Sequence, residues 1–257
     1  MPIEFDTVQK VFGKPPSQVI ALDGLSLTVN DGEFMCILGP SGCGKSTLLF
    51  MASGLEKPTC GIVRNDGKTV TGPGADRGML FQQFALFPWR SARRNIEFGL
   101  EIRGISAEER WNRARKWLDI MGLAPFANAY PHQLSGGMQQ RIAIARLLVN
   151  EPEVLLMDEP FASLDAQTRT ALGEELVRVW QQDQRTVLFV THSIDEAIML
   201  ADRLVVMTRR PGRIKADMPI RLARPRDSAS DEFNHLRKTI TDLIRHEVHG
   251  IPEEANP

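Results

Sequence analysis

The chain has 257 residues, 42% of them hydrophobic, enough to bury a good core as one large or two unequal units. Its 31 Lys and Arg against 32 Asp and Glu leave a formal charge of −1, which gives no footprint for nucleic acid or an anionic bilayer. No apolar run approaches the roughly 18 residues of a membrane span, and no signal peptide is visible, so a cytosolic, non-spanning chain is expected. Cys36, Cys43 and Cys60 lack metal-ligand spacing, and that setting disfavours disulfides.

In chain order, Ile3–Val8 and Leu25–Val29 read as short strands, and the apolar run Phe34–Leu38 suits a buried parallel strand. Gly39-Pro40-Ser41-Gly42-Cys43-Gly44-Lys45-Ser46-Thr47 follows at once. Gly39, Gly42 and Gly44 let the backbone turn with its N–H groups facing a β-phosphate, a conformation that a Cβ would obstruct. Lys45 is expected to reach the β/γ-oxygens and Ser46 to set its hydroxyl on Mg²⁺. Thr47 and Leu48 open a helix whose positive end also faces the phosphates. Cys43 lines the loop as a small residue, and its thiol is expected to make activity sensitive to alkylation.

Gly61–Arg64 is a further strand, and Met79-Leu80-Phe81 another, ending at Gln82 and Gln83. From Ala92 to about Ile144 the pattern turns helical. Ser106 and Glu109 form a capping box for a helix carrying Trp111, Ala114, Trp117 and Leu118 and ending near Gly122, both tryptophans being packing residues. Ser135-Gly136-Gly137 starts the pattern Met138, Ile142, Ala145, Leu148, so it offers unpaired N–H groups and a hydroxyl to an anion.

Val154–Met157 repeats the buried-strand logic, with Asp158 and Glu159 at the carboxyl end where open α/β sheets bind ligands. Asp158 is placed to hold Mg²⁺, through one of its waters, because this ion gives up hydration reluctantly. Glu159 is the candidate for polarising the attacking water. Val187–Val190 ends in Thr191-His192, and Ser193 with Glu196 makes a capping box for the next helix. Phe233, Leu236, Ile240, Leu243, Ile244 and Val248 form an amphipathic stripe, and residues 252–257 are expected to be disordered. A phosphate loop, an anion-binding helix start and a carboxylate pair in this order point to turnover of ATP.

The segment LSGGMQQR, 134–141, resembles the signature motif of ATP-binding-cassette (ABC) ATPases. Gln82 resembles that family's Q-loop glutamine, which touches both the metal and the reacting water. Ser163-Leu164-Asp165 resembles its D-loop, His192 its switch histidine at the γ-phosphate, and Phe12 the aromatic that stacks on adenine. The resemblance covers about residues 3 to 215. It departs at Ser163, where Ala is usual, at Ser193, where Asp is common, and at Phe12, which lacks a hydroxyl and precedes a KPPSQ insertion.

The resemblance implies an α/β P-loop NTPase core of ABC-ATPase type with an antiparallel β subdomain and an inserted α-helical subdomain. The ATPase domain would span 1–225, with the helical part about 86–146, and a helix and tail would fill 226–257. Ser135, Gly136, Gly137 and Gln139 of one chain would cover the ATP and Mg²⁺ held by a second copy, with Asp165 at the same junction.

The stretches 71–90, AYPHQLSGGMQQR and DEPFASLDAQTR are similar to the nitrate/sulfonate/taurine branch of bacterial importers. That implies a membrane permease, a solute-binding protein outside the membrane, and a peripheral place on the cytoplasmic face of the inner membrane. Phe84, Leu86, Phe87, Pro88 and Trp89 would then line a groove for a permease helix. The alternative is a soluble, non-transport ABC ATPase. Against it, the head carries neither the long coiled coil of repair types nor the second head of translation types.

Overall fold

The structure, a computed structural model, describes residues 1–249. Strands β1 (Ile3–Phe12), β2 (Val19–Val29) and β3 (Phe34–Leu38) lead into helix α1 (Lys45–Ser53), then β4 (Cys60–Asn65), β5 (Lys68–Thr69) and β6 (Arg77–Leu80). Helices α2 (Ala92–Ile102), α3 (Ala107–Ile120) and α4 (Gly136–Leu148) come next. The chain then alternates: β7 (Val154–Asp158), α5 (Ala166–Asp183), β8 (Thr186–Val190), α6 (Ile194–Leu200) and β9 (Arg203–Met207). It closes with β10 (Ile214–Pro219) and α7 (Asp231–His249).

Two sheets result. The smaller is antiparallel, in the order β2-β1-β4-β5; the larger runs β10-β9-β3-β8-β7-β6. All neighbours in the larger sheet are parallel except the edge pair β10–β9. Strands buried on both faces carry apolar residues at every position, and their period of two divides them between two cores. Phe34, Cys36, Leu38, Leu155, Met157, Val187, Phe189, Leu204 and Val206 face the core shared with α2 to α6. Met35, Ile37, Leu156, Leu188, Val190, Val205 and Met207 face the other, filled by the antiparallel sheet and α1. The fold is therefore the α/β core with an antiparallel β subdomain and a helical insertion.

Several boundaries differ from the expected ones. β1 and β2 run to Phe12 and start at Val19, because long antiparallel pairing (Phe12↔Val19) extends both beyond their apolar stretches. α1 starts at Lys45 rather than Thr47: Gly44 adopts φ 105° and serves as the N-cap, so the helix begins inside the loop. Ser106 and Ser193 cap α3 and α6, accepting from the N–H of Glu109 and Glu196 at 3.3 Å each. Neither box closes reciprocally, since Glu109 binds Arg113 and Glu196 binds Thr191.

The C-terminal stripe folds as expected, with Phe233 and Ile240 fully buried in α7. Arg237 ties α7 to Asp195 of α6 at 2.6 Å. The side chain of Val248 and the expected disordered tail, 252–257, lie outside the described residues.

Candidate active site

β3, β7 and β8 are adjacent and parallel, so their carboxyl ends lie side by side and collect the phosphate loop, Asp158-Glu159 and Thr191-His192. Gly42 and Gly44 take left-handed φ values of 75° and 105°, where glycine carries no Cβ penalty. A Cβ on Gly44 would stand 2.6 Å from Leu22 Cδ2 and 3.0 Å from the Ala21 carbonyl, so only glycine fits against β2.

Lys45 is buried and its ammonium donates to the carbonyls of Gly39 (2.7 Å) and Pro40 (3.0 Å). The charge is held within the loop, where an arriving phosphate would compete for it. Cys43 is fully buried, and burial pushes its thiol up despite the nearby Lys45 ammonium. A thiol kept neutral and covered does not favour the alkylation expected of it.

Asp158 is only 4% exposed, and its carboxyl is pushed up chiefly by that burial and also by the neighbouring Glu159 charge. The nearby Ser46 hydroxyl works in the opposite direction. The Ser46 hydroxyl and the Asp158 carboxylate together offer hard oxygen donors, the kind that Mg²⁺ takes.

Glu159 occupies φ 48°, an uncommon backbone state for a residue with a side chain, and its N–H is held by the Val190 carbonyl at 2.9 Å. Its Oε2 lies 3.3 Å from Gln82 Nε2 and 3.3 Å from His192 Nδ1. Two side chains from separate segments thus converge on a single oxygen of Glu159. His192 is held indirectly: Thr191 accepts from the Ser193 N–H at 3.0 Å and donates to Glu196 at 2.6 Å. Burial pushes the Glu196 carboxyl up.

The remaining candidates lie farther out. Phe12 ends β1, 41% exposed, with the Lys10 ammonium 5.0 Å from its ring centre. Ser135 caps α4 and accepts from the Met138 N–H at 3.3 Å, leaving its own hydroxyl proton to donate. Beside Gly137 lies Leu164 of the segment Ser163-Leu164-Asp165, its Cδ2 3.5 Å from where a side chain on Gly137 would begin. Asp165 caps α5 through the Thr168 N–H (2.9 Å) and hydroxyl (2.7 Å), and these bonds hold its carboxyl below the usual range. Gln139 is turned inward, its amide donating to Pro131 and Leu134 carbonyls at 2.9 and 3.1 Å. That amide braces the loop before α4 rather than standing free toward a nucleotide.

Two residues were invisible in the sequence. Gln140, 2% exposed, donates to the Pro160 carbonyl and accepts from the Ser163 hydroxyl, joining α4 to the segment after Glu159. Arg210 donates from Nε to the Gly42 carbonyl at 3.1 Å, across 168 residues of chain. A Gln-Gln pair and an Arg-Arg pair carry no local signal of such contacts.

A cavity of about 620 Å³ is lined by Gly39–Gly42, His192, Arg210 and Ile244. A larger one, about 680 Å³, lies between α5 and α6 and contains no phosphate-loop residue. Size alone does not locate the site.

A phosphate loop, a Ser–Asp pair and a glutamate approached by glutamine and histidine at one sheet edge define a nucleotide-hydrolysing cassette. The chain belongs to the ABC transporter family, whose model matches residues 22–162. Members of that family bind and hydrolyse ATP, and this chain is an ATPase of that kind. It is 54% identical over 246 residues to an uncharacterized ABC transporter ATP-binding protein of Methanocaldococcus jannaschii, covering 96% of this chain and 92% of that one. It is 48% identical to the nitrate import ATP-binding protein NrtD of Synechocystis sp., covering 86% of this chain and 84% of that one. It is also 39% identical to the aliphatic sulfonates import ATP-binding protein SsuB of Bacillus thuringiensis subsp. konkukian, covering 96% and 97%. Among solved structures, a dimeric ATP-binding cassette bound to ADP and Pi superposes with a TM-score of 0.79 at 35% identity, covering 86% of this chain and all of that one.

Proposed function

We propose that this chain is the ATP-hydrolysing subunit of a bacterial importer of the nitrate/sulfonate/taurine type, working as a head-to-tail pair with a membrane permease. The observation that carries the catalytic part is the convergence of Gln82 and His192 on Glu159, next to the Asp158–Ser46 pair. Glu159 accepts a proton from the attacking water, and Gln82 orients that water. His192, its Nδ1 3.3 Å from Glu159, is placed between that carboxylate and the outer phosphate, where a ring N–H can donate to the phosphate. Ser46 and Asp158, with Gln82, would hold Mg²⁺, which when bound draws charge from the phosphate oxygens. Lys45 leaves the Gly39 and Pro40 carbonyls for the β/γ-oxygens, and the loop amides supply the remaining donors.

In the pair, Ser135 to Gly137 of one copy cover the nucleotide of the other, and Asp165 lies at the same junction. Gln139 supports that surface from behind. The dimeric form of the similar cassette supports this reading. Domain limits of 1–225 for the ATPase unit and 226–257 for the appended helix and tail belong to the same proposal.

The permease surface rests on the segment after Gln82. Trp89 is 71% exposed, although tryptophan side chains are on average highly buried. Phe87 supports it from below, its ring centre 5.6 Å from Trp89 and 4.4 Å from Phe98. Phe84 and Leu86 instead pack against the chain's own core, so the outward groove is narrower than the five residues expected. Among the described residues no helix is long and apolar enough to cross a membrane. A peripheral place at the cytoplasmic face, fed through the permease by an external solute-binding protein, suits a subunit that must recruit its pore.

The names of the two importer relatives motivate the test of substrate. A deletion strain would be assayed for uptake of nitrate, taurine and alkanesulfonates. Loss of one uptake, restored by the wild-type chain and not by Glu159→Gln, is the expected result. Unchanged uptake of every solute, with ATPase activity intact in the purified chain, would leave the soluble-ATPase reading standing.

A further inference from the structure

The turn between β9 and β10, residues 208–213, has no place in the mechanism above, yet it touches the phosphate loop directly. Thr208 stitches the turn together: its hydroxyl donates to the Pro211 carbonyl at 3.1 Å and accepts from the Arg213 N–H at 3.0 Å. The turn is then anchored to β2, where the Gly212 N–H donates to the Ala21 carbonyl at 2.9 Å and Arg213 pairs with Asp23. Gly212 lies so close to the loop that a Cβ there would stand 2.0 Å from the Cys43 carbonyl oxygen. From this platform Arg210 reaches out, its Nε donating to the Gly42 carbonyl at 3.1 Å. Its guanidinium lies against Gly42, with one terminal nitrogen 3.1 Å from the place a Cβ would occupy.

An anion-binding loop must point its N–H groups inward, which sends carbonyls outward and leaves them in need of donors. Lys45 serves Gly39 and Pro40. Arg210 serves Gly42. The Gly42–Cys43 peptide is planar, so holding its carbonyl also sets the direction of the Cys43 N–H, which meets the Pro40 carbonyl at 3.3 Å. Gly42 is left-handed at φ 75° and free to adopt other conformations when nothing restrains it. The guanidinium has donors to spare, and it lines the same cavity as Gly39 to Gly42 and His192.

We infer that Arg210 is a positioning residue for nucleotide binding: it clamps the Gly42 peptide from the β9–β10 turn and keeps the phosphate loop in its receptive form before ATP arrives. It acts through the loop and takes no part in the proton transfer at Glu159. The consequence is a cost in nucleotide affinity when it is removed, with the chemical step left intact. The inference rests on the phosphate loop being the ATP site.

The test compares Arg210→Ala, Arg210→Lys, Gly212→Ala and Lys45→Ala with the wild type by steady-state ATPase kinetics, ATP calorimetry and thermal unfolding. Loss of one hydrogen bond from a charged donor on an exposed carbonyl should raise KM and Kd for ATP about 3–10-fold in Arg210→Ala. The expected kcat stays within about two-fold of wild type, a difference too small to register as a lost transition-state contact. The melting temperature should not move.

Arg210→Lys keeps the charge and one donor and should recover part of the affinity. Millimolar guanidinium should lower the raised KM of Arg210→Ala without helping the wild type. Gly212→Ala, which pushes the turn off the Cys43 carbonyl, should raise KM in the same way. An unchanged KM in Arg210→Ala overturns the inference. So does a raised KM that responds neither to lysine nor to guanidinium, or a fall in kcat together with melting temperature. If Lys45→Ala also binds ATP normally, the phosphate-loop reading itself fails, and the two failures are thereby told apart.

Discussion

The Glu159 carboxylate and the His192 imidazole meet at 3.3 Å although 32 residues of chain separate them, because β7 and β8 are neighbours in the sheet and both end at the same edge. The Asp158↔Val190 pairing sets that height: one residue beyond it on each strand the chain turns, and two beyond it lies His192. The Glu159 N–H donates to the Val190 carbonyl across the same junction. A change that removes proton acceptance at Glu159 while keeping its shape therefore isolates the chemistry from the fold.

Glu159→Gln is such a change. General-base contributions are commonly about 10²–10⁴-fold, so steady-state hydrolysis should fall by that order. ATP binding should survive, because Lys45, Ser46 and Asp158 are untouched. Unhydrolysed nucleotide bridging two copies would then hold them together by mass action. Size-exclusion chromatography should show a dimer with Mg-ATP and a monomer with ADP. Turnover near wild type would remove Glu159 from the base role, and lost turnover with no ATP-dependent dimer would count against the two-copy sandwich.

Lys45→Ala removes a charge-assisted contact to phosphate worth about 1.5–3 kcal/mol, so ATP affinity should drop about 10- to 150-fold. The Gly39 and Pro40 carbonyls also lose their donor, which loosens the free loop. Calorimetric titration with Mg-ATP reads the loss directly. Normal affinity would mean that the loop is misread.

Asp158 yields a prediction about pH. Burial raises its carboxyl in the folded chain above the unfolded value, so between the two pKa values the folded state holds a proton that the unfolded state has lost. Stability without nucleotide should accordingly fall as pH rises through that window. Asp158→Asn abolishes the cost of burying the charge and should raise the melting temperature at neutral pH in the absence of ligand. The same variant should lose Mg²⁺-dependent turnover by about 10–100-fold, as expected if Asp158 holds the ion through a water. A lower melting temperature would show that favourable contacts of the charged carboxylate outweigh the burial cost.

Trp89→Ser tests the permease surface more cleanly than any change at Phe87, whose ring is packed on Phe98 and under Arg146. Trp89 is exposed, so its loss should leave stability within about 0.5 kcal/mol and ATP affinity unchanged. Assembly with a co-expressed permease should drop by more than ten-fold, as expected for a central aromatic anchor worth about 2 kcal/mol or more. Pull-down from detergent-solubilised membranes measures it. Wild-type recovery would reject the groove.

Arg226 concerns stability alone. It is 8% exposed and donates to the carbonyls of Ile198, Ala201, Leu222 and Ile220, and burial brings its pKa down to about 10. These bonds lash the end of α6 to the segment leading into α7. Arg226→Met leaves the carbonyls unserved and should cost about 2–4 kcal/mol in chemical denaturation. ATP affinity should be little altered, because none of these contacts reaches the phosphate loop.

The sequence by itself determined the chemistry's parts: the phosphate loop, the two carboxylates at a strand end, the capped helix start at Ser135 and the amphipathic C-terminal stripe. Each is local, because backbone conformation, capping and strand burial depend on neighbours within a few residues. Tertiary structure decided which parts meet. Gln82 and His192 could be singled out in the sequence only by resemblance; strand order is what delivers them to Glu159. The inward turn of Gln139, the Gln140 link to Ser163 and the Arg210 clamp on Gly42 were all hidden for one reason. Each joins a side chain to a backbone or hydroxyl group far along the chain, and any polar residue of similar reach would look the same in sequence. The start of α1 at Lys45 was hidden differently: a left-handed Gly44 can end a turn or cap a helix, and only packing against Leu22 selects the cap.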